Sequence, residues 1–244
     1  ISGNPDLIDS TGIEFGTDAE TGERWMILTP KENANGEALI TIVVTDSPGG
    51  KSSKQNFTLT VNPVNDAPVI SEIADQTILE DGATQTITFT VSDIDNDVLD
   101  LAVTGVSSDS SVIAVSGISI IGNGGERTVK ITPLADQNGN IEVTLTVADG
   151  DVETDPEAKT DSTTFTVYIT PVNDEPSFTP GADQSVLEDC VPQAVAWATG
   201  VSKGPDNEYE QTLTFHLTND NEGLFATDGQ PSVDASGTLR YTPA

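Results

Sequence analysis

Apolar and polar residues alternate in short runs at many points of the chain. Ile87, Phe89 and Val91 alternate with threonines, and the stretches 141–147 and 165–169 follow the same two-residue period. Successive side chains of a β-strand point to opposite faces, so each run predicts a strand with one buried face. No segment shows the 3.6-residue period that is typical of an amphipathic helix.

The runs together predict an all-β fold. Gly, Asn and Asp residues stand between them, as is typical of tight turns. In the middle of the chain we predict strands at 86–91, 111–115, 117–121, 127–131, 141–147 and 165–169. About seven short strands in a stretch of this length indicate an antiparallel β-sandwich.

The sequence also repeats itself. Residues 61–68 read VNPVNDAP and residues 169–176 read ITPVNDEP, so that their Asn-Asp pairs are 108 residues apart. The same spacing relates the triplet Leu-Glu-Asp at 79–81 to that at 187–189, and an Ala-Asp-Gln triplet recurs likewise. Motifs that recur in one order at one period indicate tandem modules.

This period places the module boundaries. We predict the C-terminal part of one repeat at 1–66, a complete repeat at 67–174 and the N-terminal part of another at 175–244, which are called repeats 1, 2 and 3 below. The predicted fold is therefore a series of antiparallel β-sandwich modules of about 108 residues, joined by short linkers.

Repeat 1 aligns with repeat 2 at a shorter offset. Asn35 and Gly36 match Asn138 and Gly139, which lie 103 residues later. The offset returns to 108 because the hairpin 150–163 is five residues longer than its counterpart, and hairpin loops absorb insertions at little cost. The incomplete outer repeats fit either an excerpt of a long array or a subunit whose ends complete each other by strand donation. We favour the excerpt, because the two part-repeats overlap by about thirty residues.

The chain is strongly acidic, with 9 Lys plus Arg against 40 Asp plus Glu and a net charge of −31. Phosphate binding needs clustered basic residues, so we expect no nucleic-acid partner. Scattered carboxylates repel one another unless cations screen or bind them, which makes a metal the expected counter-charge. No apolar run reaches the roughly 18 residues of a membrane span. Cys190 is the single cysteine, so no disulfide can form within the chain.

Several motifs resemble those of a known family. The linker 61–68, Glu80 on a first strand and the Asp93-Ile94-Asp95 triplet resemble the linker, the glutamate and the D-x-D pair of cadherins. The chain also resembles the tandem cadherin-like and immunoglobulin-like repeats of large bacterial surface proteins and adhesins. The resemblance implies Ig-like or cadherin-like sandwiches with calcium bound at the junctions between successive modules.

The resemblance implies ligands at two junctions. For the first junction, between repeats 1 and 2, these are Asn65, Asp66, Asp93, Asp95 and Asp149. For the second junction, between repeats 2 and 3, they are Glu80, Asp136, Asn173 and Asp174. Calcium takes six to eight oxygen ligands, which such side chains and backbone carbonyls provide. The alternative is that these residues only cap turns and solubilise loops.

Repeat 3 departs from the cadherin pattern. Trp197, Ala198 and Thr199 stand at the positions of the D-x-D pair. We therefore expect calcium at the second junction only if Asp206 or Glu208 supplies the missing carboxylate.

Catalysis is not indicated by the sequence. The single histidine, His216, lies in the alternating stretch 213–217, where we predict a strand with this side chain outward. A serine or cysteine nucleophile needs a base and an orienting group, and no such set is recognisable. Trp25 and Trp197 fall within apolar strand patterns, so we expect them in the core rather than on a sugar-binding face. We predict that the protein is not an enzyme.

These observations predict a segment of a large extracellular or cell-surface protein of a bacterium, acting as a calcium-stiffened extender or adhesion scaffold. The expected partners are calcium, further copies of the same repeat in a longer chain, and a cell-surface protein or glycan. One alternative is a structural subunit of an extracellular filament or sheath. The other is a carbohydrate-binding accessory module of a secreted polysaccharide-degrading enzyme, which the aromatic content of 5% disfavours.

Overall fold

The computed structural model of the protein describes residues 1–82, 86–150 and 155–244. The chain folds into two compact units. Unit 1 comprises Ile1–Val69, Val91–Ala102 and Val147–Asp161, and unit 2 comprises Ile70–Thr90, Val103–Thr146 and Ser162–Ala244. The three-repeat division stays a prediction, and part of the predicted hairpin 150–163 lies outside the described residues.

Short strands make up most of the regular structure. Within the described residues they are, in chain order, β1 (Ile13–Thr17), β2 (Arg24–Leu28), β3 (Gly36–Thr45), β4 (Ser52–Val61), β5 (Val69–Ile70), β6 (Gln76–Leu79), β7 (Thr86–Ser92), β8 (Ala102–Ser107), β9 (Ile118–Ile121), β10 (Glu126–Ile131), β11 (Gly139–Ala148), β12 (Thr160–Thr170), β13 (Ser177–Thr179), β14 (Gln193–Ala196), β15 (Thr199–Ser202), β16 (Ser232–Val233) and β17 (Thr238–Tyr241). The helical segments are single 3-10 turns at Ser10–Gly12, Val115–Gly117, Asp206–Glu208 and Glu222–Leu224. In the part of the chain that the structure describes, no helix has the length and apolar character needed to cross a bilayer.

Two antiparallel hairpins build unit 1. β1 pairs with β2 from Ile13 opposite Leu28, and β3 pairs with β4 along its full length. The buried core of this unit consists of Leu7, Ile8, Ala38 and Ile40. Ile13 and Leu28 pack against this core, so the register of the first hairpin brings one apolar pair onto it.

Two four-stranded sheets form the middle of the chain, with the strand orders β5-β7-β10-β9 and β6-β12-β11-β8. Phe89 and Val129 are buried in the first sheet, and Val143, Leu145 and Val167 are buried in the second. Buried positions recur every second residue along these strands. The all-β sandwich is confirmed, as are the strands predicted at 86–91, 117–121, 127–131, 141–147 and 165–169, with altered ends.

One strand pair is parallel, although the sequence predicts antiparallel pairing throughout. β12 runs parallel to β6, with Val167 opposite Gln76 and Thr170 opposite Leu79. β5 lies in the other sheet, so no hairpin connects β6 to the preceding strand. A tight hairpin enforces antiparallel pairing, and its absence here leaves the direction of β6 free.

The predicted strand at 111–115 is wrong. Ser111 donates its backbone N–H and its hydroxyl to Asp109 Oδ1 (2.9 and 2.6 Å), and the amides of Val112 and Ile113 donate to the Asp109 carbonyl. These residues therefore form a turn. Val112 and Ile113 are both buried, whereas neighbours in a strand point to opposite faces. Local capping by a side chain overrides the apolar pattern here.

The single histidine and one tryptophan also differ from expectation. Residues 213–217 form no strand, although His216 is exposed. Trp197 is half-buried and donates its indole N–H to a backbone carbonyl (3.1 Å). Trp25 is 44% exposed, so its predicted place in the core is wrong. Its ring lies against Gly16, where a Cβ would come within 2.0 Å of the ring. Glycine at this position therefore leaves room for the indole.

Candidate metal centre

Four segments of unit 2 meet at the second junction. Glu80 and Asp81 follow β6, Asp136 lies between β10 and β11, and Asp174 follows β12 in the linker. The fourth segment follows β15 and contributes Glu208. Asp81 and Asp136 have positive φ angles of 58° and 57°, a conformation that short polar residues tolerate better than most. Both aspartates therefore stand at sharp turns in the loops that end at the junction.

Three carboxylates converge at this junction. One oxygen each of Asp81, Asp136 and Asp174 lies within 4.8 Å of the other two. The backbone N–H of Asp136 donates to Asp81 Oδ1 (3.1 Å), which ties the two loops together. Asp174 Oδ2 is buried without a hydrogen-bond partner. A buried acceptor without a donor is unfavourable, so a cation beside this oxygen would stabilise the site.

Glu80 is almost completely buried next to these carboxylates, with 1% of its surface exposed. Its Oε1 accepts the backbone N–H of Val172 (2.6 Å) and Asn207 Nδ2 (2.8 Å). Its Oε2 accepts Asn138 Nδ2 (3.1 Å). Three donors therefore stabilise the charge of Glu80, and the bond from Val172 fastens the linker to the end of β6.

The negative charge of the second junction is not balanced by basic side chains. Burial raises the pKa of Asp174, and the nearby carboxylates of Asp136, Asp81, Glu80 and Glu208 raise it further. Among the described residues, no lysine or arginine forms an ion pair with any of these five acids. Close like charges in a partly desolvated site disfavour the ionised state of each other.

Asn173 is placed in the linker, where its side chain is already hydrogen-bonded. Asn173 Oδ1 accepts Gln211 Nε2 (2.6 Å), and Asn173 Nδ2 donates to the carbonyl of Asp174 (3.2 Å). This residue, which the resemblance implies as a ligand, ties the linker to the segment after β15.

The first junction lies in unit 1 and is organised differently. Asp95 Oδ2 accepts the backbone N–H of Asp66 (2.7 Å). Asp93 Oδ1 accepts the backbone N–H groups of Asp95 (2.8 Å) and Asn96 (2.9 Å), while Asp93 Oδ2 is buried without a partner. The D-x-D pair thus orders its own turn and holds the linker through hydrogen bonds.

Asn65 and Asp149 form a second hydrogen-bonded group at the first junction. Asn65 Nδ2 donates to Asp149 Oδ2 (2.8 Å) and to the carbonyl of Glu157 (2.9 Å). Asp149 Oδ1 accepts the backbone N–H of Lys159 (2.7 Å), and Lys159 Nζ donates to the carbonyl of Asn65. N–H donors therefore occupy both oxygens of Asp149. In the described ranges, the convergence of three carboxylates occurs at the second junction and has no counterpart here.

A known protein family matches the middle of the chain. Residues 65–170 match the family described as bacterial Ig domain. The matched residues lie almost wholly within the predicted repeat 2 and include the two four-stranded sheets. No curated protein matches the chain.

The chain is similar to several solved cadherin structures at low identity. Protocadherin gammaB7 EC3-6 is 20% identical with a TM-score of 0.46, over 99% of this chain and 56% of that one. The human desmocollin-1 ectodomain is 15% identical with a TM-score of 0.47, over 94% and 44%. Mouse cadherin-23 EC22-24 is 18% identical with a TM-score of 0.42, over 68% and 52%. The chain spans about half the length of these cadherin chains.

Two residues at the second junction, Asp81 and Asn207, are absent from the ligands predicted from the sequence. Asp81 recurs as Asp189 in the repeated Leu-Glu-Asp triplet, and both have a φ of 58°, so the repetition was a usable signal. Asn207 stands between two acids, as Asn96 does between Asp95 and Asp97, so this repetition was also a usable signal. Of the two substitutes that the sequence offers for the D-x-D pair, Glu208 is buried at the junction, whereas Asp206 is exposed.

Proposed function

We propose that this chain is an extracellular segment of a large bacterial surface protein, in which calcium at the second junction stiffens the passage from repeat 2 to repeat 3. Such a segment acts as an extender or an adhesion scaffold. The observation that carries the proposal is the convergence of Asp81, Asp136 and Asp174 around a buried oxygen without a partner. Calcium at the first junction stays a prediction of the sequence.

The chemistry of the second junction suits calcium better than other common metals. Its side-chain ligand atoms are carboxylate oxygens of Asp81, Asp136 and Asp174, with the predicted ligand Glu80 beside them. Calcium accepts six to eight oxygens in a flexible arrangement, whereas magnesium demands a near-ideal octahedron and keeps several waters. Zinc prefers nitrogen and sulfur ligands, which this site does not offer. Asp81, Asp136 and Asp174 would hold the ion, and the predicted ligand Glu80 would add negative charge beside it.

The placement of these residues suggests a mechanical role. Asp81 and Asp136 belong to repeat 2, whereas Asp174 belongs to the linker that leads to repeat 3. A bound divalent cation supplies positive charge that lowers the repulsion among the carboxylates. With that repulsion lowered, the linker stays close to repeat 2. Without it, only hydrogen bonds such as those to Glu80 oppose the repulsion, and the linker is freer to move.

Heat denaturation with calcium and with a chelator tests the proposal. We expect a higher midpoint in calcium, because a ligand that binds only the folded state stabilises it by about 2.7 kcal/mol when its free concentration is 100 times the Kd. Asp136→Asn should remove most of this difference. Asp220→Asn, which changes an exposed acid in repeat 3, is the matched control and should retain it. Identical midpoints of the unaltered chain in calcium and in chelator would contradict the proposal.

A further inference from the structure

A loop of repeat 3 reaches the second junction although repeat 3 lacks the D-x-D pair. This loop, residues 202–211, is called the clamp loop. The backbone N–H of Asp174 donates to Glu208 Oε1 (3.3 Å), and Asn207 Nδ2 donates to Glu80 Oε1 (2.8 Å). The clamp loop therefore touches both the linker and the end of β6.

The contact between Asp174 and Glu208 corresponds to a contact of the first junction. Asp66 has the same place in VNPVNDAP as Asp174 has in ITPVNDEP. The backbone N–H of Asp66 donates to Asp95 Oδ2 (2.7 Å), and Asp95 is the second aspartate of the D-x-D pair. Glu208 thus does for the second linker what Asp95 does for the first, from two positions further along the Asp-Asn-acid order that residues 95–97 and 206–208 share.

The junction contains two unsatisfied oxygens, one from the clamp loop and one from the linker. Asn207 Oδ1 and Asp174 Oδ2 are both buried without hydrogen-bond partners. Glu208 is 6% exposed, so its carboxylate is also largely removed from water. Buried acceptors and buried negative charges are unfavourable unless donors or positive charge compensate them. Carboxylate and amide oxygens are the side-chain ligands that calcium prefers.

We propose that Asn207 and Glu208 complete the cation site of the second junction, so that bound calcium holds the clamp loop against the linker. This inference rests on the proposed function and adds repeat 3 to the site. Repeat 2 contributes Asp81 and Asp136, the linker contributes Asp174, and repeat 3 contributes the clamp loop. All three segments are then held by one shared positive charge.

Gly204 gives the clamp loop the shape that this contact needs. Its φ is +127°, and a Cβ at this position would lie 3.2 Å from Glu208 Cγ and 3.3 Å from Asp174 Cβ. A side chain would be strained by the backbone conformation and would press on both acids. The N–H of Gly204 donates to Ser202 Oγ (3.2 Å), which supports the turn from within the loop. Glycine thus allows the loop to approach the linker closely.

Calorimetric titration of the full chain with CaCl₂ tests the inference. We expect Glu208→Gln to weaken calcium binding at least about tenfold, because losing a partner group of a metal site commonly costs 10- to 100-fold in affinity. Asn207→Ala should weaken binding less, since it removes a neutral ligand. The matched control is Asp206→Asn, which changes the adjacent exposed acid. It should alter affinity by about twofold or less, because exposed charges are screened by salt.

Hydrogen exchange of the clamp loop is a second readout. It reports how firmly the loop is held against the linker, independently of the charge of Glu208. In the unaltered chain, calcium should slow amide exchange in residues 202–211 more than in β16 and β17. Gly204→Ala removes no oxygen ligand, yet it should reduce this protection and weaken calcium binding. Circular dichroism of each variant establishes that the sandwich is intact before its affinity is compared.

The outcomes distinguish this inference from the proposed function. If the unaltered chain binds calcium and Glu208→Gln binds it equally well, the clamp loop is not part of the site, although the calcium proposal stands. If Asp206→Asn weakens binding as much as Glu208→Gln, net charge rather than a specific contact is responsible, and the inference is wrong. If the unaltered chain binds no calcium and shows no calcium-dependent midpoint, the proposed function fails and this inference fails with it.

Discussion

The two junctions start from nearly the same linker sequence and reach different electrostatic states. At the first, backbone and side-chain N–H groups already occupy both oxygens of Asp149 and one oxygen of Asp95. At the second, three carboxylates converge. Each junction has a buried carboxylate oxygen without a donor, Asp93 Oδ2 at the first and Asp174 Oδ2 at the second. At the offset of 103 residues, Asn33 of repeat 1 corresponds to Asp136 of repeat 2, and both have a φ of 57°. A neutral residue thus stands where the second junction has a charge.

The same linker motif stands beside two different arrangements of carboxylates. Asp66 and Asp174 use the same backbone N–H to bind an acid of the following repeat. Among the described residues, three carboxylates converge beside the second contact and not beside the first. Closely placed carboxylates repel one another, so positive charge from solution would stabilise the second arrangement.

The largest expected effect comes from removing acids at one junction or the other. The double change Asp136→Asn with Asp174→Asn should abolish the calcium-dependent part of the unfolding free energy, about 2.7 kcal/mol at a free calcium concentration 100 times the Kd. The double change Asp93→Asn with Asp95→Asn should leave most of that part intact. Urea unfolding of both variants in calcium and in chelator measures it.

Each double variant is the control for the other, since both remove two charges. If the Asp93 and Asp95 pair abolished the calcium effect and the Asp136 and Asp174 pair did not, the first junction would be the main calcium site. The contrast drawn here between the two junctions would then be reversed.

A second prediction concerns the hydrogen bonds of the first junction. Asp149→Ala leaves Asn65 Nδ2 and the N–H of Lys159 without their acceptor, so it should lower the unfolding free energy by about 1–3 kcal/mol. The loss should be the same in calcium and in chelator, because the lost partners are N–H groups. Asp100→Ala, at an exposed acid, is the control and should stay within about 0.5 kcal/mol of the unaltered chain. A loss that appears only in calcium would indicate that Asp149 is a metal ligand.

The sequence predicts the strands of the middle repeat well where alternation is regular and fails where a local cap or a close approach decides the structure. β8 (Ala102–Ser107) was missed because Gly105 interrupts its pattern. A Cβ on Gly105 would lie 2.7 Å from Ile118 and 3.0 Å from Leu145, so the strand needs glycine to pack there. This requirement depends on neighbours that are distant in sequence, and local propensity cannot report it.

Internal repetition, by contrast, is a signal that survives in three dimensions. Gly12-Ile13 matches Gly117-Ile118, 117 − 12 = 105 residues later. At each of these glycines a Cβ would lie 2.3 Å from a carbonyl oxygen, of Thr29 and of Thr132 respectively. Each glycine also accepts, through its carbonyl, the N–H of that same threonine (2.8 Å). Matching motifs therefore identified matching backbone environments even where repeat 1 and repeat 2 share few side chains.

For the second junction, repetition and resemblance identified the contributors that lie in repeat 2 and the linker, such as Asp136 and Asp174. They did not identify Asn207, because the Asp-Asn-acid order shared by residues 95–97 and 206–208 lies outside the motifs that recur at 108 residues. Glu208 could be named only as one of two candidates. Which of the two acids is buried depends on the 3-10 turn Asp206–Glu208, which directs neighbouring side chains to different sides.

A smaller effect is expected from pH in the absence of metal. Burial and neighbouring acids raise the pKa of Asp174 in the folded protein, so the folded state binds this proton more tightly than the unfolded state. The corresponding stability is present at low pH and is lost as pH rises through the raised pKa. In chelator, the unfolding free energy should therefore fall with rising pH more steeply in the unaltered chain than in Asp174→Asn. Urea unfolding at a series of pH values measures both slopes. Equal slopes would show that the neighbouring acids do not raise the pKa of Asp174.

The smallest effect is expected from Lys159→Met, which removes a basic side chain at the first junction. Lys159 Nζ donates to the carbonyl of Asn65, and Lys159 is exposed, so Lys159→Met should lower the unfolding free energy by only about 0.5–1 kcal/mol. Lys54→Met, at an exposed position on β4, removes the same charge without this bond and serves as the control. Because a hydrogen bond acts at short range, the difference between the two variants should persist at high salt, whereas a general charge effect is screened. A difference that vanished with salt would mean that Lys159 acts only by its charge. Electrostatic interactions, rather than hydrogen bonds, would then dominate at the first junction, as we propose for the second.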